Sequence, residues 1–187
     1  MKDWAITTER WVALLLITGT FLMIACSPNN VKIDNSLKTY FDEQQVTGSF
    51  GLFDNGSGKF VVYNLSRFKD SAYTPASTFK IVNALIGIES GRIVNEKMVI
   101  KWDGVVRKFP NGDTAAAWNK DLTMEEAFKV SAVPYYQEIA RRIGKDTMQH
   151  WLDSLSYGNR KIGEKPDTFW LDNTLKITAD EELGLVK

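Results

Sequence analysis

The run Phe79-Lys80-Ile81-Val82-Asn83-Ala84-Leu85-Ile86-Gly87-Ile88 leaves almost no polar face at a helical period, so it predicts a helix buried on all sides. Such a helix cannot stand alone; other layers of structure must pack around it. Pro75 leads into the run and Gly91 lies beyond it, the residue types expected at the two ends of a helix. Lys80 is out of place there, because a charged lysine is almost never fully buried without a partner. Taken alone, it reads as a residue near the helix end that snorkels out to water. Ser77 gives the alternative. It precedes Lys80 by one turn on the same face. A serine hydroxyl is a poor nucleophile until a neighbour takes its proton. Lys80 can be that neighbour only if burial or a chemical modification abolishes its positive charge.

The bare pattern Ser-x-x-Lys is weak, since about one match is expected by chance in a chain of this kind. A second match, Ser66-Arg67-Phe68-Lys69, lies in the polar stretch 64–71, which reads as a loop. Further motifs separate the two. Ser131-Ala132-Val133 lies just before Pro134 at a helix-to-helix junction, Tyr157-Gly158-Asn159 follows a short amphipathic helix, and Phe169-Trp170-Leu171 comes roughly ten residues later. With Ser77-Thr78-Phe79-Lys80 these four motifs, in this order, resemble the class D (oxacillinase-type) serine β-lactamases over roughly residues 45 to 187. Lys101-Trp102-Asp103-Gly104 and Asp121-Leu122-Thr123 also look like the family. Asp172-Asn173 stands where the family has Glu-Gly after Phe-Trp-Leu. The family's Lys-Ser/Thr-Gly triplet is not found after Trp170, and Lys161-Ile162-Gly163 is no substitute, with an apolar residue where a hydroxyl is required. The chain reads as C-terminally truncated before that motif.

The resemblance implies an α/β (α+β) fold of the serine β-lactamase/DD-peptidase type, a mixed antiparallel sheet packed on a helical region, with the C-terminal strands missing. It implies that Ser77 attacks a β-lactam carbonyl, with its own N–H as one oxyanion donor. It also implies that Lys80, carboxylated by CO₂ (N6-carboxylysine), is the general base. Local chemistry permits this: among Phe79, Val82 and Val133 an amine is desolvated and its pKa falls. The indole N–H of Trp170 is a donor suited to a carbamate anion, and Ser131 would relay a proton to the lactam nitrogen. Tyr157 and Asn159 would form an active-site wall. Each has a plainer reading: Ser131 as a helix N-cap, Tyr157-Gly158-Asn159 as a C-cap, Trp170 as core packing.

Three functions follow: a β-lactam hydrolase that confers antibiotic resistance, a sensor ectodomain that acylates without turnover, or an inert remnant lacking the triplet that holds the substrate carboxylate. No metal or cofactor beyond CO₂/bicarbonate is expected, and His150, on a helix surface, has no ligand cluster around it. The formal net charge of +0 gives no reason to expect nucleic acid as a partner.

The run from Trp11 to Cys26 is uncharged and too short for a spanning helix, so residues 1–26 read as a signal peptide. Cys26, the single cysteine, follows Met23-Ile24-Ala25 as in a lipoprotein cleavage site, or is incidental to an ordinary one. Either way the mature domain is exported to the periplasm, touching membrane only through a possible lipid anchor at Cys26. Residues 27–36 read as a linker and 37–187 as the domain. Within it Leu37–Gln44 predicts a short helix. Gly48–Phe53 and Lys59–Tyr63 predict strands joined by the turn Asp54-Asn55-Gly56-Ser57-Gly58. Helices are expected at Thr123–Val130, Pro134–Ile143 and Thr147–Leu155, with capping boxes at Thr123–Glu126 and Thr178–Glu181 and C-caps at Gly144 and Gly158.

Overall fold

The computed structural model describes residues 30–187; the leader and Cys26 lie outside them. The elements run β1 (Val31–Ile33), α1 (Lys38–Glu43), β2 (Phe50–Asp54), β3 (Lys59–Tyr63), α2 (Leu65–Asp70), β4 (Ala72–Tyr73), α3 (Phe79–Glu89), β5 (Val99–Ile100), β6 (Leu122–Thr123), α4 (Met124–Lys129), α5 (Val133–Ile143), α6 (Lys145–Ser154), β7 (Ile177–Thr178) and α7 (Ala179–Val186).

The hairpin forms as the turn chemistry demands. Gly58, at φ 66°, donates its N–H to the Asp54 carbonyl at 2.8 Å, and the Asp54 carboxylate accepts from Gly56 N–H and Ser57 Oγ. β2 pairs antiparallel with β3 over its whole length, beginning two residues later than expected. The third strand is a correction. Val31–Ile33, read as linker, pairs parallel with Phe60–Val62, so the sheet order is β1-β3-β2 and the sheet is mixed. A three-residue strand carries too little pattern to be seen beside its polar neighbours.

The stretch 64–71 is also a correction: it is helix α2, not loop. Asn64, in the left-handed region at φ 54°, accepts the Arg67 N–H on its side chain, and Phe68 buries itself against the sheet. Gly51 makes room for that ring, since a Cβ there would lie 2.3 Å from Phe68 Cε2. Gly51 is therefore a packing glycine.

The helical half is built on α3 and α5. Gly87 lets them approach closely, because an added Cβ would meet Ile93 at 3.0 Å and Ile139 at 3.1 Å. The core runs from Phe79, Val82 and Ile86 of α3 through Tyr136, Ile139 and Ile143 to Met148 and Leu152 of α6, closed by Phe169, Trp170 and Leu175. α3 is not buried all round, however. Leu85 is 51% and Ile88 40% exposed, so one apolar face of the helix meets solvent among the described residues. Both expected capping boxes are present, at Thr123 with Glu126 and at Thr178 with Glu181, and Gly144 caps α5. Gly158 is not the C-cap of α6. The left-handed position after that helix is Ser156 at φ 49°, with Tyr157 N–H returning to the Leu152 carbonyl.

Candidate active site

Ser77 stands in a 3₁₀ turn, Ala76–Thr78, that runs directly into α3. The turn is strained at its first residue: Ala76 has φ 49°, in a region that costs an L-residue roughly 1–2 kcal/mol. It is held there by its N–H, which donates to the Trp170 carbonyl at 3.0 Å. Thr78 closes the turn with its N–H and Oγ1, both donating to the Pro75 carbonyl. The Ser77 side chain is left exposed at the head of the helix, while Lys80, one turn on, is only 2% exposed.

Ser131 reaches this point from the other side by an equally strained route. It follows α4 at φ 52°, and its N–H returns to the Phe128 carbonyl at 3.1 Å while the Ala132 N–H returns to Ala127 at 2.8 Å. That pair of bonds is a Schellman motif with serine at the position glycine usually takes. The N-cap reading of Ser131 is therefore corrected, since the N-cap of α5 is Ala132, without a side-chain cap bond.

The three polar groups converge. Lys80 Nζ donates to Ser77 Oγ at 2.8 Å and to Ser131 Oγ at 2.9 Å, and Ser131 Oγ donates to Ser77 Oγ at 3.1 Å. No carboxylate forms an ion pair with Lys80 among the described residues. Burial lowers the lysine pKa, because the charged amine has lost water and gained no counter-ion. A neutral amine in this place reverses the direction of the bond and takes the proton of Ser77. Such a triangle can move one proton between an exposed hydroxyl and a buried amine.

Trp170 is buried and stacks on Phe79, with centroids 5.2 Å apart at 30°, while Phe169 meets both rings edge-on. The loop after it takes the family's glycine position with Asn173, at φ 73°, which asparagine tolerates better than most residues. Asn173 Oδ1 accepts the Thr74 hydroxyl at 2.8 Å. Val133 opens α5, half-buried, two residues from Ser131.

Tyr157 meets Phe79, with ring centroids 5.6 Å apart, but the polar bonds of Tyr157 and Asn159 run to other parts of the chain. The Tyr157 hydroxyl donates to Glu182 of α7 at 2.9 Å, and burial pushes its pKa up. Asn159 pins the strand leading to β7, with its N–H on the Lys176 carbonyl, its Nδ2 on Thr174 and its Oδ1 accepting the Lys176 N–H. Gly158 allows this approach, because a Cβ there would fall 2.1 Å from the Lys176 carbonyl oxygen. His150 lies on the exposed side of α6. Among the described residues, no group of His, Cys, Asp and Glu could hold a metal ion, and no helix is long and apolar enough to cross a membrane.

Sequence reasoning overlooked Ala76 and Tyr136. Tyr136 is fully buried, with its ring beside Lys80. Nothing local marks either, since the strain and the contact both come from partners far along the chain.

Residues 20–187 match the family described as Penicillin binding protein transpeptidase domain. Beta-lactamase OXA-5 of Pseudomonas aeruginosa is 45% identical over 181 residues, which cover 97% of this chain and 63% of the relative. Among solved structures, FUS-1 (OXA-85), a class D β-lactamase from Fusobacterium nucleatum subsp. polymorphum, superposes with a TM-score of 0.74 at 37% identity, covering 82% of this chain and 61% of that one. The C-terminal domain of the Bacillus licheniformis BlaR penicillin-receptor superposes with a TM-score of 0.70 at 34% identity, covering 81% and 58%. The chain thus spans less than two thirds of the length of these relatives.

Proposed function

This chain belongs to the penicillin binding protein transpeptidase family, and from that membership we propose that it is the Ser77-bearing part of a class D β-lactamase that hydrolyses β-lactam antibiotics. The observation that carries the reading is the triangle of Ser77, Lys80 and Ser131, in which a buried lysine without a counter-ion among the described residues touches both hydroxyls. Ser77 Oγ attacks the lactam carbonyl and the lactam C–N bond opens to give an ester on Ser77. The proton of Ser77 passes through the Lys80–Ser131 pair to the leaving lactam nitrogen. The backbone N–H of Ser77, at the head of α3, serves as one oxyanion donor.

Carboxylation of Lys80 by CO₂ would supply the general base both for acylation and for deacylation, in which water hydrolyses the Ser77 ester and frees the opened product. The site suits that modification: the amine is buried, its pKa is lowered, and no carboxylate among the described residues neutralises it. The indole N–H of Trp170 is the donor we assign to the carbamate, and Val133 with Phe79 shields it. Tyr157 and Asn159 act as a wall by fixing the segment from Asn159 to Lys176. We read residues 1–26 as an export leader with Cys26 as lipid acceptor. The domain would then be periplasmic, and resistance to β-lactams is its biological outcome.

A second reading is favoured by the likeness to the BlaR penicillin-receptor: a sensor that acylates and stays acylated. Intact-mass spectra over time with benzylpenicillin separate the two. A Ser77 adduct that appears and decays supports the hydrolase, a lasting adduct supports the sensor, and no adduct overturns both.

A further inference from the structure

Tyr136 lies in the first turns of α5 with no surface exposed, and its hydroxyl has no hydrogen-bond partner among the described residues. A buried hydroxyl left unpaired costs free energy, so something other than that oxygen must account for the ring being there. The ring lies against Lys80: Nζ sits over its face, 5.8 Å from the centroid. Its position is fixed from the lysine's own helix. Asn83, one turn after Lys80, donates its Nδ2 to the Tyr136 carbonyl at 3.0 Å and so ties α5 to α3 at this residue. Tyr135 packs edge-on against the ring.

The other groups facing the amine are the hydroxyls of Ser77, from the turn before α3, and Ser131, from the α4–α5 junction. Neither carries charge, and no Asp or Glu pairs with Lys80 among the described residues. The negative face of an aromatic ring attracts an ammonium and does little for a neutral amine. We propose that Tyr136 is a positioning residue: its ring face holds the head of Lys80 under the two serines and biases the amine toward its charged form. The ring opposes desolvation, and the balance of the two decides how much neutral amine is available to Ser77. Its consequence for catalysis rests on Lys80 being the base; the charge of Lys80 itself does not depend on turnover.

The test replaces Tyr136 in the full chain with Phe, 3,5-difluoro-Phe and pentafluoro-Phe, which keep the ring's shape while draining its negative face. Lysine labelled with ¹³C at Cε is titrated by NMR in CO₂-free buffer, and the Lys80 signal is identified by its loss in Lys80→Met. Tyr136→Phe should leave the midpoint unchanged. Across the fluorinated series the midpoint should fall step by step, by roughly one pH unit at pentafluoro-Phe. A midpoint that ignores fluorination overturns the proposal. So does a flat series with a rise in Tyr136→Leu, which would show that the ring only excludes water. Penicillin adducts measured on the same samples report separately on the hydrolase reading, so either idea can fail alone.

Discussion

Ser131 and Gly91 hold the same position in two helix ends. Each is the first left-handed residue after its helix, at φ 52° and φ 68°, and each is followed by a residue whose N–H returns to the helix's last turn. Glycine fills that position after α3 at no steric cost; after α4 a serine fills it, and its hydroxyl touches both Ser77 and Lys80.

Ser131→Gly should therefore be at least as stable as the parent, by up to about 1 kcal/mol, because the backbone strain is relieved. If Ser131 relays the proton, acylation by penicillin should fall by about 10²-fold or more. Urea melts and adduct-formation rates check the two halves. A Gly variant that loses stability and keeps its acylation rate would reverse the assignment.

Burial lowers the pKa of Lys80 from its ordinary value of 10.5. Below the folded-state value both folded and unfolded chains carry the proton, and the folded state bears the full cost of a buried charge. Between the folded value and 10.5 only the unfolded chain keeps the proton, so stability rises with pH across that window. Lys80→Met should raise the melting temperature at pH 7 in CO₂-free buffer, and its advantage should shrink as pH approaches 10. Melting curves at a series of pH values decide it; an advantage that grows with pH is the contrary result.

Gly158 and Gly91 both have positive φ, yet they should respond differently to alanine. At Gly91 nothing among the described residues lies within 4 Å of a new Cβ, so the cost is the backbone preference alone, about 1 kcal/mol. At Gly158 the Cβ would lie 2.1 Å from the Lys176 carbonyl oxygen, and the segments must part, at about 3 kcal/mol or more. Denaturant midpoints of the two variants compare them directly.

Trp170→Phe keeps a ring to stack on Phe79 and removes the indole N–H. If Lys80 is carboxylated, penicillin turnover should drop by about 10²-fold without bicarbonate and recover when it is added. Trp170→Ala is a poorer probe, because losing the stack costs about 3–5 kcal/mol by itself. Rates measured with and without bicarbonate settle the matter, and indifference to bicarbonate in the Phe variant would remove Trp170 from the carbamate's surroundings.

What was legible in the sequence was local. The hairpin at Asp54–Gly58, the capping boxes at Thr123 and Thr178, and the one-turn spacing that lets Lys80 meet Ser77 each depend on residues within a few positions of one another. The pairing of β1 with β3 was not legible, because three polar-flanked residues carry no period. Ser131 looked like a cap for the helix after it and proved to end the helix before it, a distinction made only by two backbone bonds. Gly158 looked like a terminator and proved to be a point of close approach to Lys176, 18 positions on. Ser66 shows the limit from the other side: its polar neighbours conceal Phe68, whose partner Gly51 lies across the sheet.

The segment from Ala72 to Ala76 is zipped to the segment from Trp170 to Thr178. β4 pairs with β7, the Thr74 hydroxyl reaches Asn173 across 99 positions, and the Ala76 N–H reaches the Trp170 carbonyl. On the ribosome, Ser77, Lys80 and Ser131 therefore all emerge well before the strand that fixes the turn of the first. Closing a loop of that length is an entropic cost met only once the later contacts form. A nascent chain that already carries every polar group of the triangle therefore gains the turn that presents Ser77 only when the segment from Trp170 to Thr178 docks.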